Sequence, residues 1–325
     1  MNRRQFLAAG LGVAGAAVTG LGLTTQVWPL ILREDIIPGV APDQVLQPHA
    51  WTASDDFVRF AVIGDSGSGG RNAMAVADRM ARTYQRDPYG LVVLLGDIVY
   101  YGKLEDRFEN AFQRPFRPLI DAGVEFELAI GNHDEGLYHS DEGLEEIEAE
   151  LATLGTPGPY YKSTHGPVDL FVLDSSSPGL IGPGSDDQIE WLDDMLASST
   201  NVWRVVAMHH PLYSSGLHGS NREAQERLQP LFTRHRVDLV LSGHDHDYER
   251  TIPIDGVTYV TSGGGCKPTS VGHSWFTVVS ESVLQFMVID ADTDRLSARC
   301  IQANGRTADR FELFARDRRR TGAGR

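Results

Sequence analysis

The sequence predicts an α/β protein made of two packed sheets with helices outside. Short apolar runs alternate with helical patterns from Phe57 to about Leu241. From Val257 onward the pattern changes to strands and turns. The residues that directly follow the apolar runs carry chemistry, and they mark one edge of the expected sheets.

Phe57–Ile63 is rich in β-branched and aromatic residues and reads as the first strand. From Asn72 to Gln85, apolar Ala73, Val76, Ala77, Met80 and Tyr84 recur at helical spacing. Leu91–Leu95, Val124–Ile130, Leu170–Leu173, Val202–Met208 and Val237–Leu241 are continuous apolar runs suited to buried strands. Ser185 to Gln188 has the form of a capping box, and Ile189, Leu192 and Leu196 follow on one helical face. Val257–Thr261, Trp275–Val279, Val283–Ile289, Leu296–Ile301 and Arg310–Phe314 complete the β-rich end. There are no internal repeats.

The 325 residues suit one large domain or two small ones, and 41% hydrophobic content supports a sizeable core. The formal net charge of -15 argues against a general nucleic-acid binder, which needs clustered Lys and Arg. It leaves room for a small phosphorylated substrate, because bound metal ions supply positive charge locally. Lys103, Lys162 and Lys267 are the only lysines.

The chain divides into four segments. Residues 1–30 carry Arg3-Arg4 followed by Phe6-Leu7 and a Gly/Ala-rich apolar stretch without acidic residues. This reads as a twin-arginine export signal. A Sec signal and a retained membrane anchor are the alternatives. Residues 31–55 read as a linker, residues 56–315 as the catalytic domain and the basic residues 316–325 as a disordered tail. Cys266 and Cys300 lie in no metal-type spacing; in an exported protein they could form one disulfide, and two buried thiols are the other reading.

Five strand ends carry metal-capable residues. Asp65, Asp97, Asn132 with His133 and Asp134, His209 with His210, and His244 with His246 each follow an apolar run, four of the five directly after a glycine. In open α/β sheets, ligands bind beyond the carboxyl ends of the strands. The glycines are expected to permit sharp turns that aim the side chains into one crevice. Carboxylate, imidazole, amide oxygen and phenolate suit iron, zinc or manganese. There are more such donors than one ion needs. Two ions roughly 3.5–4 Å apart, with one carboxylate between them, are therefore expected. The acidic run from Asp134 to Glu150 reads as a solvated helix face, or else as a rim that disfavours polyanionic substrates.

Asp65-Ser66-Gly67, Gly96 to Tyr100, Gly131 to Asp134, Val206 to His209 and Gly243 to His246 resemble, in order, the five blocks of the purple acid phosphatases. These form a branch of the calcineurin-like metallophosphoesterases. His246 to Arg250 extends the last block in the same style, and the resemblance covers roughly residues 57–315. Two details point to this branch: a first block reading Asp-Ser-Gly where most relatives have Asp-x-His, and Tyr100 three residues after Asp97.

The resemblance implies a four-layer α/β/β/α sandwich of two mixed sheets. It implies that Asp65, Tyr100 and His246 hold Fe(3+), and that Asn132, His209 and His244 hold a divalent ion (Fe, Zn or Mn). Asp97 would bridge the two ions. His133 would contact phosphate, and His218 would protonate the leaving group. If Tyr100 were a core residue, the branch assignment would weaken and the dinuclear site would survive. His210 competes with His209; the spacing to Pro211 favours His209. His139, His165, His235 and His273 read as surface or structural residues.

The expected activity is hydrolysis of phosphate monoesters by hydroxide supplied at the metal pair. A phosphodiesterase or nucleotidase on the same fold is the alternative, and a non-catalytic metal-binding envelope protein is the alternative of another class. The expected partners are a small phosphorylated substrate and the twin-arginine export machinery, with membrane anchoring if the signal is retained. The expected location is the periplasm, the cell envelope or the medium.

Overall fold

The structure, a computed structural model, describes residues 54–100, 107–134, 156–176 and 185–316. The expected signal segment, nearly all of the linker and the tail beyond Arg316 lie outside the described residues. Arg316 itself is held: its guanidinium donates to the Gly256 carbonyl and lies 3.6 Å from Asp238.

Thirteen strands among the described residues form two mixed sheets. In chain order they are β1 (Phe57–Ile63), β2 (Leu91–Leu94), β3 (Glu125–Leu128), β4 (Tyr161–His165), β5 (Val168–Val172), β6 (Trp203–Ala207) and β7 (Leu239–Ser242). There follow β8 (Tyr248–Thr251), β9 (Thr258–Ser262), β10 (Thr277–Glu281), β11 (Gln285–Asp292), β12 (Arg295–Gln302) and β13 (Thr307–Phe314). The six-stranded sheet runs β13-β12-β11-β1-β2-β3, and the seven-stranded sheet runs β10-β8-β9-β7-β6-β5-β4. β1, β2 and β3 are parallel, as are β5, β6, β7 and β9, so within each sheet these strands share one carboxyl edge.

Among the described residues the α-helices are α1 (Arg71–Arg86), α2 (Arg114–Asp121), α3 (Ser185–Ser198) and α4 (Arg222–Arg234), and a π-helical stretch, Glu109–Gln113, leads into α2. α1 buries Ala73, Val76, Ala77, Met80 and Tyr84, the spacing read from sequence, and ends at Asp87 before Pro88. α4 begins at Asn221, whose side chain accepts from the Ala224 amide. Gln188 of the expected capping box is buried, and its side-chain amide bonds the backbone of Asp174 at both atoms.

Three apolar clusters set the layers. One lies between the sheets and includes Val62, Val93, Val205, Leu241 and Met287. A second joins the six-stranded sheet to α1 and α2 through Met80, Val92, Phe116 and Val288. The third joins the seven-stranded sheet to α3 and α4 through Leu192, Val206, Leu228 and Phe232. The result is the α/β/β/α sandwich. Burying each such side chain stabilises by roughly 1.5–3 kcal/mol. The cysteines are free and lie in different places: Cys300 in the inter-sheet core, Cys266 against Ala73 and Tyr100.

Candidate metal centre

The strand-end residues converge where the carboxyl edges of the two sheets meet. Asp65 follows β1, Asp97 follows β2, and Asn132 and His133 follow β3. His209 follows β6, and His244 and His246 lie between β7 and β8. Three hydrogen bonds stitch the seam: Gly64 N–H to the Ser262 carbonyl (2.9 Å), His209 Nδ1–H to the Leu95 carbonyl (2.7 Å) and His244 N–H to Asp65 Oδ2 (2.8 Å).

The turns are made differently from the sequence expectation. Asp65, Asp97 and His244 themselves adopt left-handed φ of 59°, 54° and 68°. Of the four preceding glycines only Gly96 has such a value, 89°. The others are required by close approach. A Cβ on Gly131 would lie 2.3 Å from Asp97 N, and one on Gly243 would lie 2.6 Å from Asp65 Oδ2. Left-handed φ at non-glycine residues costs about 1–3 kcal/mol each and clusters at functional sites.

Two groups of donor atoms result. In the first, Tyr100 Oη donates to Asp65 Oδ1 (3.1 Å) and lies 3.0 Å from His246 Nε2, which is 3.3 Å from Asp65 Oδ1. In the second, Asn132 Oδ1 lies 3.0 Å from both His209 Nε2 and His244 Nδ1, which are 3.2 Å apart. Asp97 stands between them. Its Oδ1 is 3.5 Å from His209 Nε2, and a carboxylate oxygen lies within 4.8 Å of donor atoms of Asp65 and His246. His133 and His218 line the cleft outside these groups, a cavity of about 270 Å³.

The donor chemistry fits metal ions. His209 and His246 each spend Nδ1–H on a backbone carbonyl, Leu95 and Lys267 respectively. A carbonyl only accepts, so in the neutral ring each Nε2 is the nitrogen whose lone pair faces the centre. Burial, with the neighbouring imidazoles, pulls His244 down to about 2 and His209 well below the usual range, which keeps both neutral. Burial pushes Asp65 up to about 7 and raises Asp97, because neither carboxylate gains a fixed cation that offsets its lost hydration. Burial, then the neighbouring Asp65 and Asp97, raises Tyr100 as well. His246 moves the other way. Burial lowers it, and the hydrogen bond and charge of Asp65 more than offset that. Cations at these two groups would reverse the penalty on the carboxylates.

Other histidines separate from the centre. His165 bonds Glu127 (2.8 Å), His235 bonds Asp193, and His273 is exposed; His139 lies outside the described residues. His210 is close, with a ring nitrogen within 4.8 Å of those of His209 and His244, but its Nδ1 faces Ser175 Oγ at 3.1 Å.

Three residues have supporting roles that the sequence did not show, Asp134 among them, which had read as metal-capable. Asp134 is wholly buried and accepts from the amides of Gly131, Asp97, Ile98 and Val99, so it shapes the Asp97 turn and belongs to no solvated face. The rest of that acidic run, residues 135–150, lies outside the described residues. Asp245 Oδ1 accepts from the His218 amide (2.8 Å) and lies 2.9 Å from His218 Nδ1. Ser175 Oγ accepts from the amides of His209 and His210. The placement of Asp134 and Asp245 inside ligand blocks was the available signal.

A profile described as calcineurin-like phosphoesterase matches residues 58–248, more than half of the chain. The chain belongs to the calcineurin-like phosphoesterase family. It is 27% identical over 317 residues to tartrate-resistant acid phosphatase type 5 of Rattus norvegicus, spanning 82% of this chain and 93% of that one. It is 26% identical over 253 residues to purple acid phosphatase 4 of Arabidopsis thaliana, spanning 69% and 72%. Purple acid phosphatase PPD1 from yellow lupin seeds has the same fold, with a TM-score of 0.68 at 19% identity, covering 82% of this chain and 55% of that one. These relatives and the motif order place this phosphoesterase in the purple acid phosphatase branch. It is a metal-dependent phosphatase whose relatives imply a dinuclear centre.

Proposed function

We propose that this phosphoesterase hydrolyses phosphate monoesters, with Fe(3+) held by Asp65, Tyr100 and His246 and a divalent ion held by Asn132, His209 and His244. Asp97 serves both. The observation that carries the reading is the pair of donor groups on either side of Asp97, with His209 and His246 locked in the tautomer that leaves Nε2 free. The bound ions would neutralise phosphoryl oxygens and make hydroxide available near neutral pH.

The protein's own groups do the rest. Exposed His133 lies at the cleft mouth, its ring 4.9 Å from that of Tyr100, and contacts the phosphate. Asp245 holds His218 by Nδ1, so Nε2 is the atom that gives a proton to the leaving oxygen. Buried Asp134 fixes the Asp97 turn and so keeps the carboxylate in place.

Turnover of para-nitrophenyl phosphate should exceed that of bis-para-nitrophenyl phosphate. The reverse order would replace the monoester reading with the diesterase alternative. Tyr100→Phe should abolish the visible charge-transfer band that ferric phenolate ligation gives, while the fold stands. A retained band would remove Tyr100 from the metal. His218→Ala should keep colour and metals and lose roughly 100-fold in turnover, most of all for esters with poor leaving groups.

The export reading rests on Arg3-Arg4 and the Gly/Ala-rich stretch after them. Periplasmic, envelope or secreted location follows from it, with the twin-arginine machinery as partner. Replacing both arginines by Lys should trap the protein in the cytoplasm; undiminished, Sec-dependent export would remove the assignment.

A further inference from the structure

One wall of the cleft is not used by the chemistry above. It is the segment Cys266 to Thr269, which follows β9. Lys267 and Thr269 both line the cavity. Among the described residues that do so, Lys267 carries the one permanent positive charge, in a chain whose net charge is -15. Its side chain is exposed and, among the described residues, is paired with no carboxylate. The Thr269 hydroxyl is shielded from solvent and has no hydrogen-bond partner among the described residues. Such a group costs folding free energy unless a partner is supplied.

The segment is pinned to the centre. His246 Nδ1–H donates to the Lys267 carbonyl (2.9 Å), and Thr269 N–H donates to the His246 carbonyl (2.8 Å). Nε2 of the same imidazole faces Asp65 and Tyr100. The backbone of Lys267 and Thr269 is therefore held against His246, at the edge of the first donor group. A lysine ammonium there is a point charge for an oxyanion, and the threonine hydroxyl is a second donor.

We propose that Lys267 and Thr269 form a subsite for a second anionic group on the leaving side of the ester. The preferred substrates are then phosphate compounds with a further phosphoryl or carboxylate group, not neutral esters. This rests on the monoester reading above. The reaction is unchanged: water oxygen bonds to phosphorus, the bond to the leaving oxygen breaks, and that oxygen takes the proton. For pyrophosphate the products are two phosphates.

The test compares kcat/KM of the metal-loaded full chain on pyrophosphate, phosphoglycolate and para-nitrophenyl phosphate, the last lacking a second anion. Lys267→Met should lower the ratio of pyrophosphate to para-nitrophenyl phosphate by about tenfold or more, mainly through KM. Lys267→Arg should hold the ratio within about threefold, and Thr269→Val should lower it by a smaller factor, about two- to fivefold. A fall for pyrophosphate alone assigns the subsite to a second phosphoryl group. A fall for phosphoglycolate as well assigns it to any second anion. Ratios unchanged in Lys267→Met, with para-nitrophenyl phosphate still hydrolysed by the wild type, would overturn the subsite alone. A wild type that turns over no monoester would overturn the monoester reading and the subsite together.

Discussion

The six-stranded sheet delivers oxygen donors to the crevice, whereas the seven-stranded sheet delivers imidazoles. Asp65, Asp97 and Asn132 follow β1, β2 and β3; His209, His244 and His246 come from the ends of β6 and β7. The oxygen side holds buried carboxylates that burial pushes toward the protonated form, two of them on left-handed backbone. On the imidazole side His209 and His244 are held neutral, and backbone carbonyls fix the tautomers of His209 and His246. Neither side is a satisfied structure alone. Each donor group takes members from both sheets, so ions held there would tie the sheets together.

Breaking the shared residue should have the largest effect. Asp97→Ala should leave both ions weakly held and cut turnover by more than about 1000-fold, since metal and positioning are lost together. Metal analysis and steady-state kinetics check this. Next comes removal of the ions by a chelator. Binding at about 1,000-fold over Kd contributes about 4 kcal/mol, which for a domain of this size lowers Tm by roughly 8–16 °C. Calorimetry with and without chelator reads it, and an unchanged Tm would show that the seam does not depend on metal.

Gly131→Ala tests the oxygen side without replacing a donor residue. The added Cβ would meet Asp97 N and Oδ1, both at 2.3 Å, so a cost of about 3 kcal/mol and displaced metal are expected. Chemical denaturation and metal content measure both.

A charged network outside the crevice sharpens the contrast. Asp309 accepts from Arg250 and from Tyr248, 2.8 Å. Burial alone would raise its carboxyl; these bonds outweigh burial and hold it below the usual aspartate range. A depressed folded pKa contributes stability above the unfolded value of about 3.9, lost as pH falls through the folded value. Asp309→Asn should therefore cost about 1–2 kcal/mol at pH 7, and the deficit should shrink in urea melts taken near pH 3. By comparison, the half-exposed pair Arg295–Glu312 should matter least. Arg295→Ala should change stability by no more than about 0.5 kcal/mol.

Most strands were legible because both faces of the inner strands are buried and the runs are therefore apolar throughout. The exceptions are instructive. β4 reads Tyr-Lys-Ser-Thr-His, an edge strand whose polar side chains hide it. β8 lay unrecognised inside the last ligand block, where Tyr248 to Thr251 looked like motif. α2 holds Pro115 and Pro118 and α4 holds Pro230, and proline argues locally against a helix. In the site, the strand-end residues were legible because side-chain chemistry and order are local facts. The grip of Asp245 on His218, 27 residues away, and of Asp134 on the amides that follow Gly96 are products of folding. Likewise, no sequence pattern said that Asp65, Asp97 and His244 would carry the left-handed backbone themselves.

Counting the metal ions in protein purified from its native host tests the central claim most directly. Two donor groups either side of Asp97 predict two ions per chain, and the proposed ferric site predicts that at least one is iron. Active protein carrying a single ion per chain would contradict it.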